Sequence, residues 1–187
     1  IKLINLEKKD IIKKIKVKNT HIISEELKNQ KSIIILSSHY CNWEWLLARV
    51  SICWEEDLYA IYKPLSNKFF NKLILRTRKK FGAKMLQMQH TGKFIIKNSK
   101  KRNIFFFLSD QVPENITNAY KCFFMGKKTS FSTGVERLSK KNNIPVFYAE
   151  MKKTNNGIYN VEFSKINHNN ITKQYVKKLE KTILENP

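Results

Sequence analysis

In Ser32-Ile33-Ile34-Ile35-Leu36-Ser37-Ser38-His39-Tyr40-Cys41-Asn42-Trp43-Glu44, four consecutive aliphatic residues stop at a pair of serines and give way to ring-bearing and polar side chains. An uninterrupted apolar run this short suits a strand buried on both faces, as in a parallel sheet covered by helices. The strand is predicted over Ser32–Ser37 and a helix over Trp43–Trp54. Between them lies the C-terminal end of a strand, where open α/β sheets present functional groups.

The same alternation continues outward. Leu58–Tyr62 reads as a strand, Asn67–Phe81 as a basic amphipathic helix ended by Gly82, and Ala83–Leu86 as a short strand. Thr91–Lys100 reads as a helix, Asn103–Ser109 as a central strand, and Val135–Asn143 as a helix closed by Pro145. Pro145–Met151 and Ile158–Phe163 alternate as strands, and Ile171–Leu184 repeats apolar residues at helical spacing. Short apolar runs separated by amphipathic segments define an α/β fold, a mostly parallel mixed sheet flanked by helices. With no Pro/Gly/Ser-rich linker and no repeat, residues 1–187 are expected to form a single domain.

Lysine and arginine total 36 against 15 acidic residues, a balance of +21 that attracts a polyanion. Nucleic acid, an anionic bilayer face and an acidic carrier protein all qualify, and many of the lysines suit a solvated surface equally well. Cys41, Cys53 and Cys122 form neither a CxxC pair nor an even set, which argues against a disulfide framework or a zinc ribbon. His21, His90 and His168 lack ligand spacing, so no metal or other cofactor is expected. No apolar run approaches the ~18–20 residues that span a bilayer. The chain starts at Ile1 without methionine and stops at Pro187 just past a helical pattern, so it is expected to be a fragment lacking an N-terminal membrane anchor and a C-terminal segment. Trp43, Trp45, Trp54, Phe69, Phe70 and Phe94 suit either core packing or an interfacial surface, and core packing is the favoured expectation.

His39 and Glu44 stand five residues apart, about 140° out of phase on an ideal helix, so they meet only if His39 precedes the helix. In that arrangement the Glu44 carboxylate accepts the proton of Nδ1 and leaves Nε2 as the acceptor a general base needs. This resembles a serine-protease triad without its serine. The hydroxyl would belong to the substrate, which makes acyl transfer to an alcohol the natural chemistry. A structural His–Glu hydrogen bond remains the alternative at this spacing.

His39-Tyr-Cys-Asn-Trp-Glu44 resembles the His-x4-Asp/Glu motif of the lipid A late acyltransferases. Further stretches follow in that family's order. Tyr62-Lys63-Pro64-Leu65 resembles its Tyr-Arg-Pro segment, and Asn67, Leu73, Ile74, Arg76, Arg78, Phe81 and Gly82 follow at the expected distance. Leu108-Ser109-Asp110-Gln111 is similar to its Asp-Gln segment, Phe123-Phe124-Met125-Gly126 to its Phe-Phe-Gly segment, and Thr133-Gly134 opens a helix as the family pattern does. The resemblance implies a lysophospholipid-acyltransferase-like fold at the cytoplasmic face of the bacterial inner membrane. It also implies acyl carrier protein as donor and an anionic lipid acceptor, a hydroxyl of a lipid A precursor, with no nucleic acid among the partners.

By position the resemblance adds Arg76 and Asp110 to His39 and Glu44 as catalytic residues. Arg76 would stabilise the oxyanion or bind a phosphate, and Asp110 would hold Arg76. Asn42, Lys63, Arg78 and Gln111 would contact substrate. Two departures stand out: Cys41 occupies a position commonly glycine, and Lys63 replaces an arginine that would grip a phosphate with two parallel hydrogen bonds. A glycerolipid or aminolipid acceptor is therefore an alternative to lipid A, and an inactive scaffold relative is another. The rival from a different class is a basic nucleic-acid-binding module using Phe105-Phe106-Phe107, but that continuous apolar run suits a covered core strand better than an exposed stacking platform.

Overall fold

The computed structural model describes residues 2–29, 31–98 and 100–187. Its centre is the aliphatic strand Ile33–Ser37 (β2), in which every residue is buried. β2 lies between two parallel neighbours, Asn103–Leu108 (β5) and Val146–Lys153 (β8). Successive side chains on β2 and β5 enter different cores, as the two-residue period of a strand requires. Ile33, Ile35, Ile104 and Phe106 join one cluster, and Ile34, Leu36, Phe105 and Phe107 the other. The three phenylalanines are therefore core residues and offer no stacking surface.

The sheet continues from β5 through Asp57–Tyr62 (β3) to Lys84–Gln87 (β4), all parallel. On the other side β8 pairs antiparallel with Tyr159–Ile166 (β9), which pairs in parallel with the short edge strand Ile15–Val17 (β1). The order β1-β9-β8-β2-β5-β3-β4 is the mostly parallel mixed sheet expected from the sequence. The first core is built with residues of Lys8–Lys14 (α1), His21–Lys28 (α2) and Trp43–Val50 (α3). The opposite core takes residues of Met88–Asn98 (α5), Gly134–Asn142 (α6) and Ile171–Glu185 (α7). Lys68–Lys79 (α4) has no buried residue. A separate antiparallel hairpin, Tyr120–Phe124 (β6) and Lys127–Phe131 (β7), lies between β5 and α6 in the chain.

Most boundaries fall within a few residues of expectation. α3 is shorter, ending at Val50, and α5 starts earlier, at Met88. Ser99, inside the helix expected over Thr91–Lys100, lies outside the described residues. The stops follow from local chemistry. Gly82, at φ +103, ends the α4 segment in a conformation that side chains resist, and Asn143 closes α6 in the left-handed region two residues before Pro145. Trp45 and Trp54 pack against the first core and Phe94 against Tyr59, whereas Phe69 and Phe70 are exposed. No helix among the described residues is long and apolar enough to cross a membrane.

Candidate active site

β2 and β5 pair in parallel register with Ser37 opposite Leu108. Two residues past each partner stand His39 and Asp110, so the register alone brings them together across the sheet's C-terminal edge. His39 Nδ1 lies 2.8 Å from Asp110 Oδ1, and the His39 backbone N–H donates to Asp110 Oδ2 at 2.9 Å. Both carboxylate oxygens thus serve one residue. Burial works to raise the Asp110 pKa, but the ring and backbone hydrogen bonds from His39 outweigh it and hold the carboxyl below its ordinary value. An ionised carboxylate only accepts, so the neutral imidazole carries its proton on Nδ1 and leaves Nε2 free to take one.

This corrects the expected pairing of His39 with Glu44. His39 does precede α3, in the turn, but Glu44 sits in the first turn of α3 and reaches toward α4. There Arg78 donates to it three times: Nη2 to Oε1 at 2.8 Å, and Nε to Oε1 and Oε2 at 3.2 and 3.3 Å. Trp43 separates the His39–Asp110 hydrogen bond from the Arg78–Glu44 ion pair. Its ring meets His39 edge-on at 5.2 Å, and the Arg78 guanidinium lies over it at 4.7 Å. Asp110, His39, Trp43, Arg78 and Glu44 therefore form one continuous row, with Arg78 mostly buried at 16% side-chain exposure.

His39, Trp43 and Arg78 line a cavity of about 530 Å³. Leu47, Ala60, Ile61, Met85, Phe106 and Leu108 give it an apolar wall, and Lys63 and Gln111 also line it. Lys63 is exposed and ion-paired with Glu114. Arg76 is not in this cavity. Two residues on a helix are about 200° apart, so the phase that carries Arg78 inward turns Arg76 outward. Arg76 lines a separate cleft with Ile4, Leu73, Thr77 and Lys80. The expected Arg76–Asp110 contact is therefore absent among the described residues, since Asp110 is committed to His39. Asn42, expected to contact substrate, caps α3 by accepting from Trp45 N at 3.3 Å and lines a smaller cleft beside Glu44.

Tyr175 of α7 was not anticipated from sequence. Its buried hydroxyl donates to the Ser37 carbonyl at 2.8 Å, and Ser109 N donates to the same carbonyl at 3.2 Å. That oxygen ties together the strand ends carrying His39 and Asp110. Its sequence signal is the helical spacing of apolar residues over Ile171–Leu184, which does not single out Tyr175. Cys41, in the same turn, has φ +63. The left-handed conformation explains why glycine suits the position.

A mostly parallel α/β sheet that sets a carboxylate-held imidazole at its C-terminal edge, beside a cavity with one apolar wall and cationic side chains, has the layout of an enzyme pocket. Residues 1–187, the whole chain, match the family described as bacterial lipid A biosynthesis acyltransferase, and the chain belongs to that family. Comparison with curated proteins gives no match.

Proposed function

We propose that this acyltransferase moves a fatty acyl chain from the thioester of acyl carrier protein to a hydroxyl of a lipid A precursor, at the cytoplasmic face of the inner membrane. The observation that carries the reading is the His39–Asp110 pair opening onto an apolar cavity, whose volume falls in the roughly 300–1,000 Å³ range of ligand pockets. The acceptor oxygen attacks the thioester carbonyl while His39 Nε2 takes its proton. The carbon–sulfur bond then breaks, and the imidazolium returns the proton to the departing thiolate. Asp110 keeps the ring in the tautomer this requires. Arg78, held by Glu44 and stacked on Trp43, supplies positive charge to the carbonyl oxygen or to an acceptor phosphate. Lys63 and Gln111 contribute polar contacts at the cavity.

The test is transfer of a labelled acyl chain by the unmodified protein in detergent, offered acyl carrier protein or coenzyme A thioesters and a panel of lipid A precursor, glycerolipid and aminolipid acceptors. Transfer from the carrier protein to the lipid A precursor is the expected result. Transfer to a glycerolipid or aminolipid alone would overturn the acceptor while keeping the chemistry, and transfer to none of them would overturn the function.

A further inference from the structure

None of the twelve residues of α4 is fully buried, although its sequence is amphipathic. A surface helix ordinarily buries an apolar stripe or is polar all round; this one half-buries Ile74, Leu75 and Arg78 and leaves its other apolar side chains facing out. Phe69 is 73% exposed, Phe70 54% and Leu73 37%, and the two phenylalanine rings touch only edge-on at 5.8 Å. Leu65 and Met88, 47% and 58% exposed, line the catalytic cavity together with Asn71 and Ile74 of the same helix. Leu73 lies on the side of the Arg76 cleft. Single exposed apolar side chains need no explanation, but several within the short stretch Leu65–Leu73 beside a cavity mark a surface that meets something apolar.

The charge says what that is. Residues 68–80 include no acidic side chain. Lys68, Lys72, Arg76 and Lys79 are exposed, and no carboxylate pairs with them among the described residues. Aromatic rings set among unpaired cations are the composition of a helix lying in the interface of an anionic leaflet, rings in the acyl boundary and ammonium groups at the phosphates. An acidic protein would pair the lysines, but rings and aliphatic chains exposed along this whole stretch, flanked by cations, suit the continuous apolar boundary of a leaflet better.

We propose that the first turns of α4, with Leu65 and Met88, insert into an anionic lipid leaflet, so that the cavity holding His39 opens onto the lipid phase. This deepens the acyltransferase reading, on which it rests for a lipid acceptor, by stating how that acceptor reaches the base without leaving the bilayer.

The experiment is vesicle flotation of the full chain with phosphatidylcholine alone and with added phosphatidylglycerol. Binding to the anionic vesicles is expected, weakening as salt is raised. F69S/F70S should lower that partition on the order of ten- to a hundredfold, and K68E/K72E about tenfold or more. Phe123→Ser, which removes a phenylalanine 68% exposed on the β6–β7 hairpin, should leave partition within about twofold. Unchanged partition in F69S/F70S would overturn the proposal. So would a rise in KM for acyl carrier protein in detergent while vesicle binding stays intact, because the face would then be a protein-docking surface. Flotation does not depend on turnover, so failure of the acyltransferase reading would show separately, as an unmodified protein that binds vesicles but transfers nothing in detergent.

Discussion

Replacing Asp110 with asparagine separates the two services this carboxylate performs. Its Oδ1 faces His39 Nδ1 at 2.8 Å and its Oδ2 accepts the His39 backbone N–H at 2.9 Å. An amide has one acceptor and one donor end. With the oxygen kept on the backbone N–H, the amide NH2 faces Nδ1, drives the ring proton to Nε2 and abolishes the base. Flipped, the NH2 faces the backbone N–H and the turn carrying His39 loses its tether. The corresponding exchange in a serine-protease triad costs about 10⁴ in kcat, and a fall of roughly 10³–10⁴ is expected here, about 4–5.5 kcal/mol of barrier. The assay is kcat for labelled acyl transfer at saturating donor and acceptor, paired with nitrogen NMR of the His39 ring to read its tautomer. Stability should fall by only about 1–3 kcal/mol, the scale of one lost charge-assisted hydrogen bond. Because the folded Asp110 pKa is depressed, its contribution to stability is complete above the ordinary carboxylate range and is lost as pH falls through the lower folded value; the variant should lack that acid limb. A variant retaining activity within about tenfold of the unmodified protein would rule out Asp110 as the group that fixes the His39 tautomer, as would a larger loss from Glu44→Gln.

Arg78→Ala should lower kcat roughly a hundred- to a thousandfold if the guanidinium meets the oxyanion, while Arg76→Ala, an exposed substitution, changes stability by no more than about 0.5 kcal/mol and leaves kcat near its original value; steady-state kinetics of the two side by side decide it. Tyr175→Phe removes the hydroxyl that donates to the Ser37 carbonyl and should cost about 1 kcal/mol in denaturant unfolding, together with a fall in kcat larger than any change in KM. Cys41 holds a left-handed conformation that strains a side chain by about 1–2 kcal/mol, offset in a glycine variant by greater freedom of the unfolded chain. Cys41→Gly should therefore lie within about 1 kcal/mol of the original protein, and Cys41→Val, β-branched at the same φ, should lose about 2 kcal/mol or more in the same unfolding experiment.

Several local patterns carried directly into the fold, although the short helices α1 and α2 gave too few turns to be read. The aliphatic run Ile33–Leu36, the triple phenylalanine of β5 and the glycine after α4 each fix an element through side chains within a few residues. β1 escaped because three residues at an edge, Ile15–Val17, carry no period long enough to read, and its parallel pairing with β9 joins segments far apart in the chain. The hairpin β6–β7 has half-buried, polar-rich strands whose side chains give little apolar signal. At the site, His39 was legible because its turn lies between an obvious strand and an obvious helix. Its partner was not. Glu44 is near in sequence, but the pairing with Asp110 depends on which strand lies beside β2 and in what register, a long-range property that spacing along the chain does not encode. The choice between Arg76 and Arg78 likewise rested on the phase of α4, and that phase is set by packing against α3.

Acyl transfer by this site depends first on His39 as the general base. The decisive measurement is single-turnover transfer of a labelled acyl chain from acyl carrier protein to the lipid A precursor, comparing the unmodified protein with His39→Ala. Loss of general base catalysis predicts a fall of about 10²–10⁴ in rate with donor and acceptor still bound; transfer by His39→Ala at the unmodified rate would contradict it.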